Sequence, residues 1–171
     1  MPGSPSHLAA RFFDVLSAKP LSGHEVAEVE KWLTASEIEV FMAQPRPDRR
    51  HGFHASRVVL DKGIEDKSVV RAALLHDVGK RHARLGVMGR TIASLMIVLH
   101  LPLPRRFALY RDHGSIGAAE LAGLGCESLI VDFARSHHGD RPTGIEPGVW
   151  EVLQLADQPP KTGPFPPPRI S

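Results

Sequence analysis

The histidines and aspartates of this chain fall in a pattern whose chemistry suits a bound metal ion. The most distinctive stretch is residues 71–80, where an apolar helical segment leads directly into adjacent His76 and Asp77. Val78-Gly79 signals that the helix stops just after this pair, so both side chains are expected at a buried helix end. A buried carboxylate is costly unless a cation or several donors meet it, and a divalent metal meets both side chains together. The alternative is a hydrogen-bonded core histidine beside a capping aspartate.

Further candidate ligands lie on both sides of the pair. They are His51 and His54 upstream, and His113, His137, His138 and Asp157 downstream. His51 and His54 are three residues apart, so they share a helix face and both are candidates. His137 and His138 point about 100° apart on a helix, so both reach one site only if the helix ends there, as Gly139 suggests. His137 is the first choice of the two.

The most specific stretch, residues 72–80 with the letters AALLHDVGK, resembles the AALLHDIGK signature of the HD-domain superfamily of metal-dependent phosphohydrolases. The resemblance covers roughly residues 45–158. Residues 113–122 are similar to the family's HxxIGAELL element, and residues 153–157, LQLAD, match its closing aspartate. The opening Asp48-Arg49-Arg50-His51 resembles the DQRH start of one bacterial branch, which favours His51 over His54 as the first ligand.

Carried over to this chain, the resemblance implies two divalent metal ions. One would be held by His51 (or His54), His76, Asp77 and Asp157, and Asp77 would bridge to a second held by His113 with His137 or His138. Such histidine-rich sets suit iron, manganese or zinc, with magnesium as the harder alternative. Two bridged cations can activate a water that attacks phosphorus.

The implied activity is hydrolysis of a phosphoester or phosphoanhydride in a small, nucleotide-like substrate. Asp77 and Lys80 would be the catalytic residues, and Lys80 would clamp the substrate phosphate together with one of three arginines, Arg50, Arg81 or Arg84. Residues 139–144 depart from the DGxGYP element of the cyclic-dinucleotide phosphodiesterases, so that activity is not carried over. Two other functions stay open: a di-iron HD-type oxygenase, and a non-catalytic binding module that contains metal.

The elements that must hold these residues are all helical in their sequence pattern. Apolar side chains recur at helical spacing and no convincing strand is found, which predicts an all-α, HD-domain-like bundle of about six to eight helices without significant sheet. Residues 1–44 are expected to form an N-terminal helical cap, 45–158 the HD domain, and 159–171 a mobile Pro-rich tail. Asp48 and Ser115 are predicted helix N-caps. The helices that carry His51 and His76 are expected to form an antiparallel hairpin.

Composition adds limits on partners and compartment. The formal charge of +2 is too small to indicate specific nucleic-acid binding. A single cysteine, Cys126, and the lack of a signal-like N-terminus suit the cytoplasm, and a catalytic role for this thiol is disfavoured. Residues 92–103 are apolar but too few to cross a bilayer, which needs about 20 residues. The preferred interpretation is a core helix with a solvated basic rim; the alternative is weak membrane-surface contact through residues 81–106. The oligomeric state is not predicted.

Overall fold

The computed structural model describes residues 19–158, and this part of the chain is built from α-helices. In chain order they are α1 Gly23–Trp32, α2 Ala35–Met42, α3 Arg46–Asp61, α4 Lys67–Leu75, a 3₁₀ helix Val78–Ala83, α5 Val87–Val98, α6 Arg105–Arg111, α7 His113–Gly123, α8 Ser128–Ser136 and α9 Pro147–Ala156. No strand occurs within the described residues, so the predicted all-α class is confirmed. The predicted Pro-rich tail and the first part of the predicted N-terminal cap lie outside residues 19–158.

Helix α4 and the 3₁₀ helix that follows it form the centre of the fold. Every residue from 69 to 80 is buried. Asp66 caps α4 by accepting from the backbone N–H groups of Ser68 and Val69. Helices α3 and α8 pack directly on α4, and α9 packs on both α3 and α4. A Cβ at Gly52 would lie 2.6 Å from the Leu74 carbonyl oxygen, which shows how closely the start of α3 lies beside the end of α4.

Two predicted helix caps are wrong. Helix α3 begins at Arg46 with Pro45 as its N-cap, so Asp48 lies inside the first turn. There Asp48 is buried and accepts from Arg90 of α5, at 2.5 Å from Nη1 and 2.6 Å from Nη2. Helix α7 begins at His113 instead of Ser115, which places His113 in the first helical turn and not in the preceding loop. Helix α3 has Pro47 in its first turn, a position that suits proline, and the His113 ring at the start of α7 contacts the Tyr110 carbonyl oxygen three residues earlier.

Helix α5 is not part of the core, contrary to the preferred interpretation of its apolar sequence. Ala93 is the buried residue of this helix; Met88, Ile92, Leu95 and Val98 are exposed, and Val87, Met96 and Ile97 are half-buried. The helix is attached instead through its packing on α6 and through the Arg90–Asp48 ion pair. No helix in residues 19–158 has both the length and the apolar character needed to cross a membrane.

A buried ion pair fastens α2 to α4. Glu37, at the third position of α2, completes a capping box with Thr34 and accepts from Arg71, whose Nη2 lies 2.5 Å from Oε1. The Cys126 thiol donates to the same carboxylate at 3.1 Å. Burial and this neighbouring carboxylate raise the pKa of Cys126 to about 12, so the thiol is not a nucleophile at neutral pH.

The Glu37→Gln variant is expected to lose about 2 kcal/mol of unfolding free energy at neutral pH, because Arg71 loses its closest carboxylate and keeps only that of the exposed Glu127, 2.8 Å from its Nη1. Although burial alone raises the pKa of Glu37, the hydrogen bonds from Arg71, the Thr34 backbone and Cys126, with the charge of Arg71, together outweigh it and hold the pKa below the ordinary value of 4.5. Stabilisation from such a group is complete above pH 4.5 and is lost as the pH falls through the folded-state pKa. The variant should therefore also lose part of the wild type's acid sensitivity, measured by urea unfolding at neutral and acid pH.

Glu39→Gln is the matched control for this measurement, since Glu39 is exposed on the same helix. The control is expected to unfold within about 0.5 kcal/mol of the wild type. Equal unfolding free energies for the two variants would contradict a stabilising role for the buried pair.

Candidate metal centre

Side chains from five helices converge on one largely buried point. His51 comes from the second turn of α3, His76 is the C-cap of α4, and Asp77 follows it directly. His113 is the first residue of α7. The remaining side chains come from the C-caps of two further helices, His137 of α8 and Asp157 of α9. Because each residue lies at or near a helix end, its side chain reaches the centre without breaking a helix.

The first group of potential ligands is His51, His76, Asp77 and Asp157, whose ligand atoms all lie within 4.8 Å of one another. Oδ1 of Asp157 lies 3.1 Å from Nε2 of His51 and 3.0 Å from Nε2 of His76. Oδ2 of Asp77 lies 3.8 Å and 3.5 Å from the same two nitrogen atoms. Two imidazoles and two carboxylates therefore face one small volume.

The second group is His113, His137 and His138, which also meet the 4.8 Å limit. Nε2 of His113 lies 3.2 Å from Nε2 of His137. Oδ1 of Asp77 lies 3.3 Å from the first of these nitrogens and 3.5 Å from the second. Asp77 thus stands between the two groups and turns one oxygen atom toward each.

Backbone carbonyls fix the orientation of three imidazole rings. The Nδ1 atoms of His76, His113 and His137 lie 2.9, 2.7 and 2.8 Å from the carbonyl oxygens of Ala73, Tyr110 and Ala134, each three residues earlier. A carbonyl oxygen can only accept, so Nδ1 must donate, and a neutral ring then presents a lone pair on Nε2. This arrangement orients metal-binding histidines in many proteins.

The donor set fits a cation, and one buried atom shows why. Oδ1 of Asp77 is buried without a hydrogen-bond partner, although two Nε2 atoms lie close to it. If the rings of His113 and His137 are neutral, their lone pairs face each other and this oxygen, and nothing in that volume donates. A cation placed among them satisfies all three atoms. A core histidine that is satisfied by hydrogen bonds alone would need no such cation.

The pKa values of the site reflect the crowded charges. Burial lowers the pKa of His76, but the carboxylates of Asp77 and Asp157 outweigh it and raise that pKa to about 9. Burial raises the pKa of Asp77, but Lys80 and His76 outweigh it and hold the pKa well below its usual value. Burial likewise lowers the pKa of His113. The site therefore keeps its carboxylates ionised and attracts positive charge.

Lys80 lies at the centre, whereas two of the arginines predicted to clamp phosphate do not. Its Nζ lies 2.5 Å from Oδ2 of Asp77, and the side chain is buried. Arg50 is instead paired with Glu25 and bound to two backbone carbonyls, and Arg81 is paired with Glu120. Both guanidinium groups are thus occupied in joining helices. Arg84 is exposed at the C-cap of the 3₁₀ helix.

The structure brings together every residue predicted as a metal ligand, and it separates His51 from the alternative His54. His51 belongs to the first group and His54 to neither. Sequence reasoning missed the carbonyls that orient the rings, and it missed Gln154, whose Nε2 donates to the His137 carbonyl at 2.7 Å. For His76 and His137, the position at a helix C-cap is the local signal for this carbonyl contact, because the ring can reach back to the carbonyl three residues earlier.

His51→Gln is expected to weaken metal binding by about 100-fold or more, since loss of a ligand imidazole costs more than loss of the hydrogen-bond partners behind ligands, for which about 10- to 100-fold is typical. His54→Gln is the matched control from the same helix and should leave the affinity within about twofold. Both affinities are measured by competition with a chromogenic chelator. Equal losses in the two variants, or a loss only in the second, would overturn the assignment of His51.

The chain matches no protein-family model, and comparison with curated proteins and with solved structures finds no match either. The geometry of the two groups therefore carries the functional argument without support from relatives.

Proposed function

We propose that this protein is a metal-dependent phosphohydrolase of the HD type, which cleaves a phosphoester or phosphoanhydride bond in a small, nucleotide-like substrate. The observation that most strongly supports this proposal is the placement of Asp77 between two sets of imidazoles. Its Oδ2 faces His51 and His76, and its Oδ1 faces His113 and His137. A carboxylate presented in this way is suited to bridge two cations. This is the ligand order that the resemblance to HD domains implies.

The residues divide into holding and charge-balancing roles. The first group would hold one divalent cation and the second group another, with iron, manganese or zinc favoured by the imidazole content. At such a centre the bound cations supply a water of lowered pKa and neutralise charge on the phosphoryl oxygens. Asp157 keeps the rings of His51 and His76 turned toward the centre through its Oδ1 contacts.

Lys80 is the side chain best placed to meet a substrate phosphate. Burial disfavours its charge, but attraction to Asp77, together with smaller contributions from Tyr110, Asp48 and Asp157, outweighs the burial and raises the pKa of Lys80, so the ammonium group stays protonated. His51 and Asp157 keep part of their side chains exposed, which leaves the first group open to solvent on one side. A phosphate entering from that side would meet cationic charge at the centre.

The proposal is tested with the full chain, purified in the presence of iron, manganese or zinc. We expect about two metal ions per chain by elemental analysis, and release of phosphate or a nucleoside phosphate from a nucleotide panel that stops on addition of a chelator. His76→Ala should abolish this activity, and Lys80→Met should lower it while the metal content is kept. Hydrolysis that persists in chelator would contradict the proposal, as would oxygen uptake without hydrolysis, which points to an oxygenase.

A further inference from the structure

Helix α5 displays an apolar stripe that no described residue covers. Met88, Ile92, Leu95 and Leu99 are 63%, 46%, 53% and 56% exposed. At about 100° per residue these four side chains fall within an arc of roughly 60° on the helix surface. Val98 and Leu101 extend the exposed apolar surface at the end of the helix. A contiguous exposed apolar face of this kind marks an interaction surface more often than scattered single residues do.

All the lysine, arginine, aspartate and glutamate positions in the sequence around this stripe are basic residues. Residues 78–111 contain seven lysines and arginines and no aspartate or glutamate, although the whole sequence has 19 acidic residues. Arg84 and Arg105 are exposed, and no described carboxylate contacts either of them. Arg106 donates to the carbonyl oxygens of Ala83 and Arg84, so its charge also lacks a carboxylate partner in residues 19–158. The apolar stripe therefore has a cationic rim.

The charge pattern decides among the possible occupants. A second copy of the same face would bring two cationic rims together, which is repulsive. The segments outside the described residues offer no compensating charge, because residues 1–18 carry one arginine and one aspartate and residues 159–171 carry one lysine and one arginine. An anionic lipid surface supplies both an apolar interior for the stripe and negative headgroups for the rim.

We propose that helix α5, with Arg84, Arg105 and Arg106 beside it, docks the protein on the surface of a bilayer rich in anionic lipid. The helix would lie in the plane of the interface with Met88, Ile92, Leu95 and Leu99 among the acyl chains. The Arg90–Asp48 ion pair fixes α5 to α3, so the folded body presents the stripe as a whole. This inference does not depend on the hydrolase activity, because none of the stripe or rim residues belongs to the metal centre.

Vesicle cosedimentation of the full chain tests the proposal. We expect binding to phosphatidylcholine vesicles that contain phosphatidylglycerol, little binding to phosphatidylcholine alone, and weakening as salt is raised. Ile92→Ser/Leu95→Ser should reduce binding more than about tenfold, since two apolar side chains lose their place in the acyl region. Arg84→Glu/Arg105→Glu should reduce it more than about 25-fold, at about fivefold or more for each arginine.

Matched controls place the same chemical changes elsewhere on the surface. Met42→Ser/Leu124→Ser removes two exposed apolar side chains, and Lys62→Glu/Lys67→Glu reverses two exposed charges at the far end of the α3–α4 hairpin. Both are expected to bind like the wild type, and circular dichroism checks that every variant is folded. Equal binding by stripe variants and controls would overturn the proposal. So would no binding to either vesicle, or concentration-dependent dimers that the stripe substitutions abolish.

Discussion

Under the proposed function, Asp77→Asn is expected to remove at least one of the two proposed metal ions and to lower phosphate release by about 1,000-fold or more. The substitution preserves size but removes the charge that faces both groups of imidazoles, Oδ1 toward His113 and His137 and Oδ2 toward His51 and His76. An asparagine presents a single carbonyl oxygen and cannot bridge two cations as a carboxylate does. Elemental analysis and nucleotide hydrolysis, measured on the same preparation, check both halves of the prediction.

Folding must be separated from chemistry in this experiment, because Asp77→Asn also leaves the buried Lys80 without its carboxylate. The double variant Asp77→Asn/Lys80→Met removes both charges and is expected to fold, while it binds no more metal than the single variant. Asp61→Asn, an exposed aspartate at the end of α3, is the charge control and should keep wild-type metal content and turnover. Full activity in a folded Asp77 variant would contradict the proposed hydrolase centre.

Gly79→Ala is expected to lower the unfolding free energy by more than about 3 kcal/mol, the upper range for overpacking. A Cβ at this position would lie 2.0 Å from the His113 carbonyl oxygen and 2.7 Å from the Gly117 backbone nitrogen. Both neighbours are backbone atoms of α7, so neither can swing away, and α7 has to shift as a whole. Since α7 carries His113, the variant is expected to lose the second metal ion of the proposed centre even if it folds.

Gly86→Ala provides the matched control for Gly79→Ala. Nothing lies within 4 Å of a Cβ built at Gly86, and its φ of −72° suits alanine. Its unfolding free energy should stay within about 0.5 kcal/mol of the wild type in urea titrations, with unchanged metal content. Similar stability for the two alanine variants would contradict the close backbone contact between the 3₁₀ helix and α7.

The sequence by itself determined the helical class and most of the residues of the candidate centre. Helical periodicity is a local property, so the all-α class could be predicted from spacing alone. The ligand types stand out for a related reason, because adjacent His76 and Asp77 after an apolar run have few other uses at a buried helix end. The capping box at Ser22 and Glu25 was equally predictable and is present, since it depends on residues three apart.

Only the tertiary structure decided which of several equivalent residues take part. His51 and His54 share a helix face, and the choice between them depends on where α9 delivers Asp157. From the sequence, Arg50 and Arg81 were candidates for binding phosphate. In the structure they pair with Glu25 and Glu120, which lie 25 and 39 residues away in the chain. The exposure of α5 could not be predicted from the sequence either, because an apolar segment can be covered by another part of the protein or left exposed. Ion pairing and burial depend on contacts between segments that are distant in the sequence. Local sequence patterns do not determine which of these segments come into contact.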